Sequence, residues 1–199
     1  MCNLYDVGPA PGRVRFDWES GLRELLGDLG YVAPGKPGIV ARAPAGKWEA
    51  AIMRWGFHRS WSPFITNARD DKLQSNTWAA AWRERRCLLP VRQFYEWSGP
   101  AGRKTRHAIL TPEDDVWFWI GGIWEEHPNA GVTYAMVTTA ANPQMVFLHG
   151  RMPLILAPGD LEEYLMSATA PMSLVKPYAG DLRIQPPSPS VREETGELF

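Results

Sequence analysis

The second residue of the chain is a cysteine, directly after the initiator methionine. If Met1 is removed, Cys2 carries both a thiol and a free α-amine. The amine can condense with an aldehyde to an imine, and the thiol can then add to the imine carbon, giving a five-membered thiazolidine. If Met1 is retained, the Cys2 nitrogen is part of a peptide bond and no thiazolidine can form. Two alternatives remain: the thiol alone attacks an acyl carbon, or Cys2 is a small apolar residue that opens a first strand running to Tyr5.

Two other side chains are candidates for proton transfer. Glu96 lies among large rings in the segment Phe94-Tyr95-Glu96-Trp97, where partial burial would raise the pKa of its carboxyl group towards neutrality. His149 lies where a loop meets a strand, a position suited to a general acid or base. The alternatives are an outward-facing Glu96 on a strand and a purely structural His149.

Basic and aromatic residues are interleaved around position 55. Arg54, His58 and Arg59 lie among Trp55 and Trp61, a mixture that suits stacking on exposed bases beside phosphates. The net charge of the chain is -1, so a nucleic-acid partner must be recognised by local clusters and not by bulk attraction. A solvated surface is the alternative for each basic cluster taken singly.

The length and composition limit the class of protein. A chain of 199 residues suits one domain, and its two cysteines, without a signal-like segment at the start, predict a reducing cytoplasm. No apolar run is long enough to cross a membrane. The sequence has no glycine-rich phosphate loop and no zinc-ligand spacing, so we expect neither a cofactor nor a metal. We expect a monomer.

The pattern of elements predicts an α+β fold in which antiparallel sheets curl into a barrel-like core with flanking helices. We assign a single domain to residues 1–166 and an extended or partly disordered C-terminal tail to residues 167–199, where prolines cluster. Residues 31–47 are predicted to be an irregular covering loop. The predicted helices are 17–29, 75–86 and 159–166, and the predicted strands are 48–57, 87–91, 93–97, 106–110, 116–124, 134–139 and 151–156.

Several motifs together resemble the SOS response-associated peptidase family, also called the abasic-site processing or SRAP domain. They occur in the order typical of that family, and the resemblance covers about residues 2 to 165. The motifs are Met1-Cys2-Asn3-Leu4-Tyr5, Asn67-Ala68-Arg69, Arg86-Cys87-Leu88-Leu89-Pro90 leading to Phe94-Tyr95-Glu96-Trp97, Thr138-Thr139-Ala140-Ala141-Asn142, and His149-Gly150-Arg151-Met152-Pro153.

The resemblance implies a protein that binds abasic sites in single-stranded DNA during the DNA-damage response. Cys2 would join the aldehyde of the ring-opened deoxyribose as a stable thiazolidine, which shields the lesion from strand cleavage. By matching positions, Asn67 orients the nucleophile, Glu96 handles protons and His149 acts on the sugar oxygen. Such a protein would be cytoplasmic and associated with the nucleoid when bound to DNA.

The resemblance also implies a DNA-binding set. Arg69 and Arg151 would bind the phosphates that flank the lesion, and Trp55 would stack on or wedge against a neighbouring base. Arg54, from the basic cluster around Trp55, is the fourth residue of the predicted DNA-binding set.

The sequence departs from the common pattern at two positions. Gly150 stands where many members carry an acidic residue, and Gln93 replaces a frequent glycine. Neither change removes a proposed catalytic group, so both bear on rate and DNA context.

Two rival functions stay open at this point. In the first, Cys2 is an N-terminal nucleophile that hydrolyses a peptide bond, with the α-amine or His149 as the base and Asn67 as an oxyanion donor. In the second, the chain is a non-catalytic single-strand binding module, which predicts salt-sensitive binding that is indifferent to Cys2→Ala.

Overall fold

A computed structural model of the chain describes residues 2–13, 15–27, 29–100, 103–111 and 116–185. Its helices are α1 (Glu19–Leu26), α2 (Ala79–Glu84) and α3 (Leu161–Met166), with short 3-10 helices at Pro44–Gly46, Asp70–Lys72, Pro158–Asp160 and Met172–Leu174. Its strands are β1 (Tyr5–Asp6), β2 (Tyr31–Val32), β3 (Pro37–Arg42), β4 (Glu49–Trp55), β5 (Phe57–Arg59), β6 (Ser62–Ile65), β7 (Asn67–Arg69), β8 (Arg86–Val91), β9 (Gln93–Ser98), β10 (Thr105–Leu110), β11 (Phe118–His127), β12 (Gly131–Ala140), β13 (Arg151–Pro153), β14 (Ile155–Leu156) and β15 (Arg183–Ile184).

Five of these strands close into a barrel in the order β12, β4, β3, β8, β11 and back to β12. The β12–β4 pair is parallel and the other pairs are antiparallel. Closure removes exposed strand edges, and every residue of β8 is buried. The predicted α+β class and barrel-like core are confirmed.

A second sheet, of five strands in the order β15, β10, β9, β1 and β2, lies beside the barrel. In this sheet Tyr5 is paired with Phe94, and His107 lies opposite Glu96. The sheet therefore brings the start of the chain against β9.

The region predicted as an irregular loop contains a strand of the barrel. Residues Ile39, Val40 and Ala41 of β3 are at most 1% exposed and pair with β4. Glycines and prolines surround this short apolar run, and such a composition predicts a loop. The run is a strand because it pairs with strands that are distant in the chain.

The first two helices also differ from the prediction in their bounds. The first helix is shorter because Gly27 adopts a φ of 49° directly after it. The second begins at Ala79, not at Ser75, whose backbone carbonyl accepts the hydrogen bond from the Ala79 N–H at 2.8 Å.

The tail predicted from residue 167 begins too early. Leu174 and Leu182 are each 8% exposed, and β15 pairs with β10. The chain therefore packs on the domain as far as Gln185, while predicted tail residues 186–199 lie outside the described residues. In the described part of the chain, no helix is long and apolar enough to cross a membrane.

Candidate active site

Cys2 is enclosed between the second sheet and the barrel. Its side chain is 1% exposed, and its Sγ donates a hydrogen bond to the Leu4 carbonyl oxygen at 3.3 Å. The Leu4 carbonyl also accepts the Tyr95 backbone N–H at 3.0 Å, which fastens this segment to β9. Burial raises the pKa of the Cys2 thiol to about 12, and the negative charge of Glu96 acts in the same direction. The thiol is therefore protonated at neutral pH.

Glu96 projects from β9 into the same enclosed region and is 2% exposed. Burial raises the pKa of its carboxyl group above the ordinary value, and the nearby imidazole of His149 partly opposes this effect. The prediction of a buried carboxyl with a raised pKa agrees with this placement, whereas the alternative of an outward-facing residue is wrong.

Asn67 reaches Cys2 from the barrel side. It opens β7, which pairs in parallel with β12 and places Asn67 beside Met136. The Asn67 Nδ2 donates to the Cys2 carbonyl oxygen at 3.2 Å and to the Thr66 Oγ1 at 2.8 Å. Its Oδ1 is buried and has no hydrogen-bond partner among the described residues. That oxygen is therefore an available acceptor beside the backbone of Cys2.

His149 lies in the segment that joins β12 to β13. The backbone N–H of Arg151 donates to His149 Nδ1 at 2.9 Å. The same Nδ1 lies 3.2 Å from the Arg151 carbonyl oxygen, so both contacts of the ring are made by Nδ1 and Nε2 is the nitrogen left for proton transfer. The structure thus brings together all four predicted catalytic residues, while their chemical roles stay predictions.

The predicted phosphate-binding arginines are engaged in ion pairs. Arg151 is 17% exposed, its Nη1 lies 2.8 Å from Asp70 Oδ1, and its Nη2 donates to the Thr138 Oγ1 at 3.0 Å. Arg69 is 51% exposed and forms two hydrogen bonds to Asp71 at 2.8 and 2.9 Å. An exposed ion pair of this kind contributes little to stability because water screens it, so Arg69 can exchange its partner at small cost.

Arg54 and Trp55 are adjacent on β4 but differ in surroundings. Arg54 is half-buried, with its guanidinium carbon 5.5 Å from the centre of the Phe64 ring. Trp55 is fully buried, its Nε1 donates to the Thr66 carbonyl oxygen at 3.1 Å, and its ring packs against Tyr5 and Tyr134. The prediction that Trp55 stacks on a base is wrong, because no face of its ring is open to a ligand.

Three exposed rings close in sequence to the site are better placed to meet a ligand. Trp61, between β5 and β6, is 72% exposed, and Phe64 and Phe147 are 41% and 67% exposed. Phe64 precedes Asn67 by three residues and Phe147 precedes His149 by two. The basic neighbours of Trp61 already predict base stacking there, whereas the only sequence signal for Phe64 and Phe147 is their position shortly before a polar site residue.

The residues gathered around Cys2 suit condensation chemistry. Among the residues described, no group of three or more histidine, cysteine or acidic side chains converges on one point. Instead, a backbone-anchored Cys2 faces a protonatable carboxyl group, an amide oxygen and, close to Glu96, an imidazole. Such a set can accept and return protons while the amine and thiol of one residue attack one carbon.

Comparison with known proteins identifies relatives. The family model "SOS response associated peptidase (SRAP)" matches residues 1–194. Abasic site processing protein HMCES of Gallus gallus is 30% identical over 189 residues, covering 74% of this chain and 56% of the relative. Abasic site processing protein YoaM of Bacillus subtilis is 28% identical over 150 residues, covering 65% and 63%. The chain spans about half the length of the curated relatives it matches.

Two solved structures share the fold. A protein of Bordetella bronchiseptica superimposes with a TM-score of 0.72 at 22% identity, covering 92% of this chain and 98% of that one. A protein of Bacteroides thetaiotaomicron superimposes with a TM-score of 0.70 at 21% identity, covering 92% and 91%. These matches establish the architecture.

Proposed function

The chain belongs to the SOS response associated peptidase (SRAP) family, and on that premise we propose that it captures abasic sites in single-stranded DNA. Once Met1 is removed, Cys2 joins the ring-opened deoxyribose as a thiazolidine. The curated relatives are named abasic site processing proteins, which supports this class of substrate. The observation that carries the proposal is the position of Cys2, anchored by Asn67 and buried beside Glu96.

The first stage is opening of the sugar ring. An abasic deoxyribose is a cyclic hemiacetal, and only its open form offers an aldehyde. A proton on His149 Nε2 passes to the ring oxygen while the Glu96 carboxylate takes the proton of the hydroxyl group on the anomeric carbon, and the C–O bond to the ring oxygen breaks. Glu96, which lies close to His149, then returns a proton to Nε2. The products are an aldehyde and a hydroxyl group.

The second stage joins the amine to the aldehyde. The Cys2 amine adds to the carbonyl carbon to give a carbinolamine. The hydroxyl group of the carbinolamine takes a proton from the Glu96 carboxyl group and leaves as water, which gives an iminium ion and the Glu96 carboxylate. The Asn67 Oδ1, buried with no partner among the described residues, can accept a hydrogen bond from the amine and orient its lone pair. The ionised Glu96 carboxylate stabilises the positive charge that develops.

The third stage closes the ring. The Cys2 sulfur adds to the iminium carbon, the C–S bond forms, and the thiol proton passes to the Glu96 carboxylate. A thiol whose pKa is raised to about 12 is a weak nucleophile towards an ordinary acyl carbon, but an iminium ion is a far stronger electrophile. The same burial disfavours the peptidase alternative, which requires attack by the thiolate on an amide.

The test is to mix the purified protein with a single-stranded oligonucleotide that contains one abasic site. Removal of Met1 is first confirmed by mass. We expect a conjugate that survives denaturing electrophoresis and has the summed mass of both components less one water. If protein confirmed to lack Met1 gives no conjugate, the proposal is wrong.

Two variants assign the atoms. Cys2→Ala removes the thiol, so no stable conjugate is expected. Cys2→Ser keeps the amine, so borohydride should trap an imine, while no conjugate survives without borohydride. A stable conjugate formed by Cys2→Ala would exclude the thiazolidine. The binding-module alternative instead predicts that neither substitution changes the affinity for single-stranded DNA.

A further inference from the structure

Ser98 and His107 form a hydrogen-bonded pair that the proposed reaction does not use. The Ser98 Oγ lies 2.7 Å from the His107 Nε2. Ser98 ends β9, His107 lies on β10, and both side chains are half-buried. The pair is therefore fixed by two paired strands and remains partly open to solvent.

The strand register places this pair on the same face of the second sheet as Glu96. His107 lies directly opposite Glu96, and Ser98 follows Glu96 by two residues. Residues two apart on a strand share a face and are about 7 Å apart. The His107 ring bonds to Ser98, so it is turned towards the end of the hairpin and away from Glu96. The pair lies about one nucleotide step along the sheet from the proposed reaction centre.

In either direction of the hydrogen bond between Ser98 and His107, one polar hydrogen of the pair can be donated to a ligand. If the Ser98 hydroxyl donates to Nε2, the neutral His107 ring carries its proton on Nδ1. If Nε2 donates to Ser98, the serine hydroxyl hydrogen is free. A protonated ring adds one more donor and a positive charge. The exposed residues Arg103 and Lys104 precede β10 in the same hairpin. An anion is the ligand that these groups favour.

We propose that Ser98 and His107 together bind one backbone phosphate of the DNA strand, about one linkage from the abasic sugar held at Cys2. This assignment rests on the proposed function for its substrate class. The contact positions the strand and carries no base information. Its effect is on affinity and on the placement of the sugar against Glu96.

The experiment measures the affinity for oligonucleotides that carry a tetrahydrofuran abasic analogue. This analogue has no aldehyde, so binding is independent of thiazolidine formation. In a series of oligonucleotides, each phosphate near the analogue is replaced singly by an uncharged methylphosphonate. Each oligonucleotide of the series is titrated with four proteins: the wild type, His107→Gln, Ser98→Ala and the matched control Arg106→Gln.

Arg106 is a suitable control because it adjoins His107 on β10 but points to the opposite face, with its guanidinium carbon 5.0 Å from the centre of the Tyr95 ring. We expect one methylphosphonate position that weakens wild-type binding at least about tenfold, since the uncharged linkage loses a charge-assisted hydrogen bond. His107→Gln and Ser98→Ala should be insensitive at that position. Arg106→Gln should keep the wild-type response there.

The inference is overturned if the wild type does not bind the strand, if no single linkage near the analogue matters, or if both variants respond like the wild type. Melting temperatures near that of the wild type establish that the variants are folded. Failure of crosslinking with intact binding would overturn only the proposed function. If crosslinking is intact but His107→Gln and Ser98→Ala respond to the methylphosphonate series as the wild type does, only this inference is overturned.

Discussion

The Nδ2 of Asn67 donates a hydrogen bond to the carbonyl oxygen of Cys2 at 3.2 Å. This contact joins β7, which is paired to the barrel, to the first residue that the structure describes. The backbone of the nucleophile is thus held from the barrel side, while the Tyr95 N–H holds Leu4 from the sheet side. Cys2 thereby gains an orientation that its local sequence does not impose.

We expect Asn67→Ala to slow thiazolidine formation by about 10–100-fold, the range for loss of one positioning hydrogen bond in an enclosed site. The folded state should lose about 1 kcal/mol, because the Cys2 carbonyl loses its partner. Single-turnover crosslinking gives the rate and urea unfolding gives the stability. A rate equal to that of the wild type would mean that Asn67 has no part in orientation.

We expect Glu96→Gln to slow the reaction yet stabilise the fold at neutral pH. Burial raises the pKa of Glu96 above 4.5, so the folded state binds more protons than the unfolded state. The glutamate's contribution to stability is therefore present below pH 4.5 and is lost as the pH rises through the folded-state pKa. The stability advantage of Glu96→Gln in urea unfolding should grow as the pH rises from about 4.5 through the folded-state pKa of Glu96. An advantage that shrinks with rising pH would contradict this assignment.

We expect the native Cys2 thiol to resist alkylation at neutral pH. Its pKa is raised to about 12, so only a minute fraction is thiolate, and the side chain is 1% exposed. Mass spectrometry after iodoacetamide treatment should show little modification of the native protein and full modification of the urea-unfolded chain. Rapid native alkylation would instead favour a thiolate nucleophile and the peptidase alternative.

We expect Gly38→Ala to destabilise the protein by about 1–3 kcal/mol. A Cβ at Gly38 would overlap both the Tyr5 and Tyr134 hydroxyl groups, which hydrogen-bond each other in the core. Gly150→Ala is the matched control, because a Cβ there meets nothing within 4 Å. Urea unfolding should separate the two variants. Equal stabilities would mean that the tyrosine pair moves apart at little cost.

We expect Trp61→Ala to weaken binding to single-stranded DNA by about tenfold without loss of stability, because stacking on one base contributes about 1–3 kcal/mol. Trp55→Phe should act in the opposite way. It removes a buried hydrogen bond to Thr66 and should lower stability by about 1–3 kcal/mol while affinity is retained. Fluorescence anisotropy and thermal melting measure the two effects. If Trp55→Phe lost affinity for single-stranded DNA and Trp61→Ala kept it, Trp55 and not Trp61 would be the stacking residue.

The sequence alone predicted the chemistry that we propose for the chain and the residues that we propose to carry it. Cys2 is defined by its position in the chain, and Asn67, Glu96 and His149 follow from local motifs that resemble one family. Short runs of β-forming residues separated by turn signals also predicted the strands β4 and β8 to β12. These features are local, so they can be read from neighbouring residues.

The tertiary structure decided which residues meet. Strand pairing brought Asn67 to Cys2 and made a barrel strand of Ile39–Ala41, since hydrogen bonding to distant strands outweighs a glycine- and proline-rich context. It also buried Trp55 and left Trp61 exposed, although both are tryptophans beside basic residues. Which face of a strand is covered, and which polar groups become partners, depends on segments far apart in the chain.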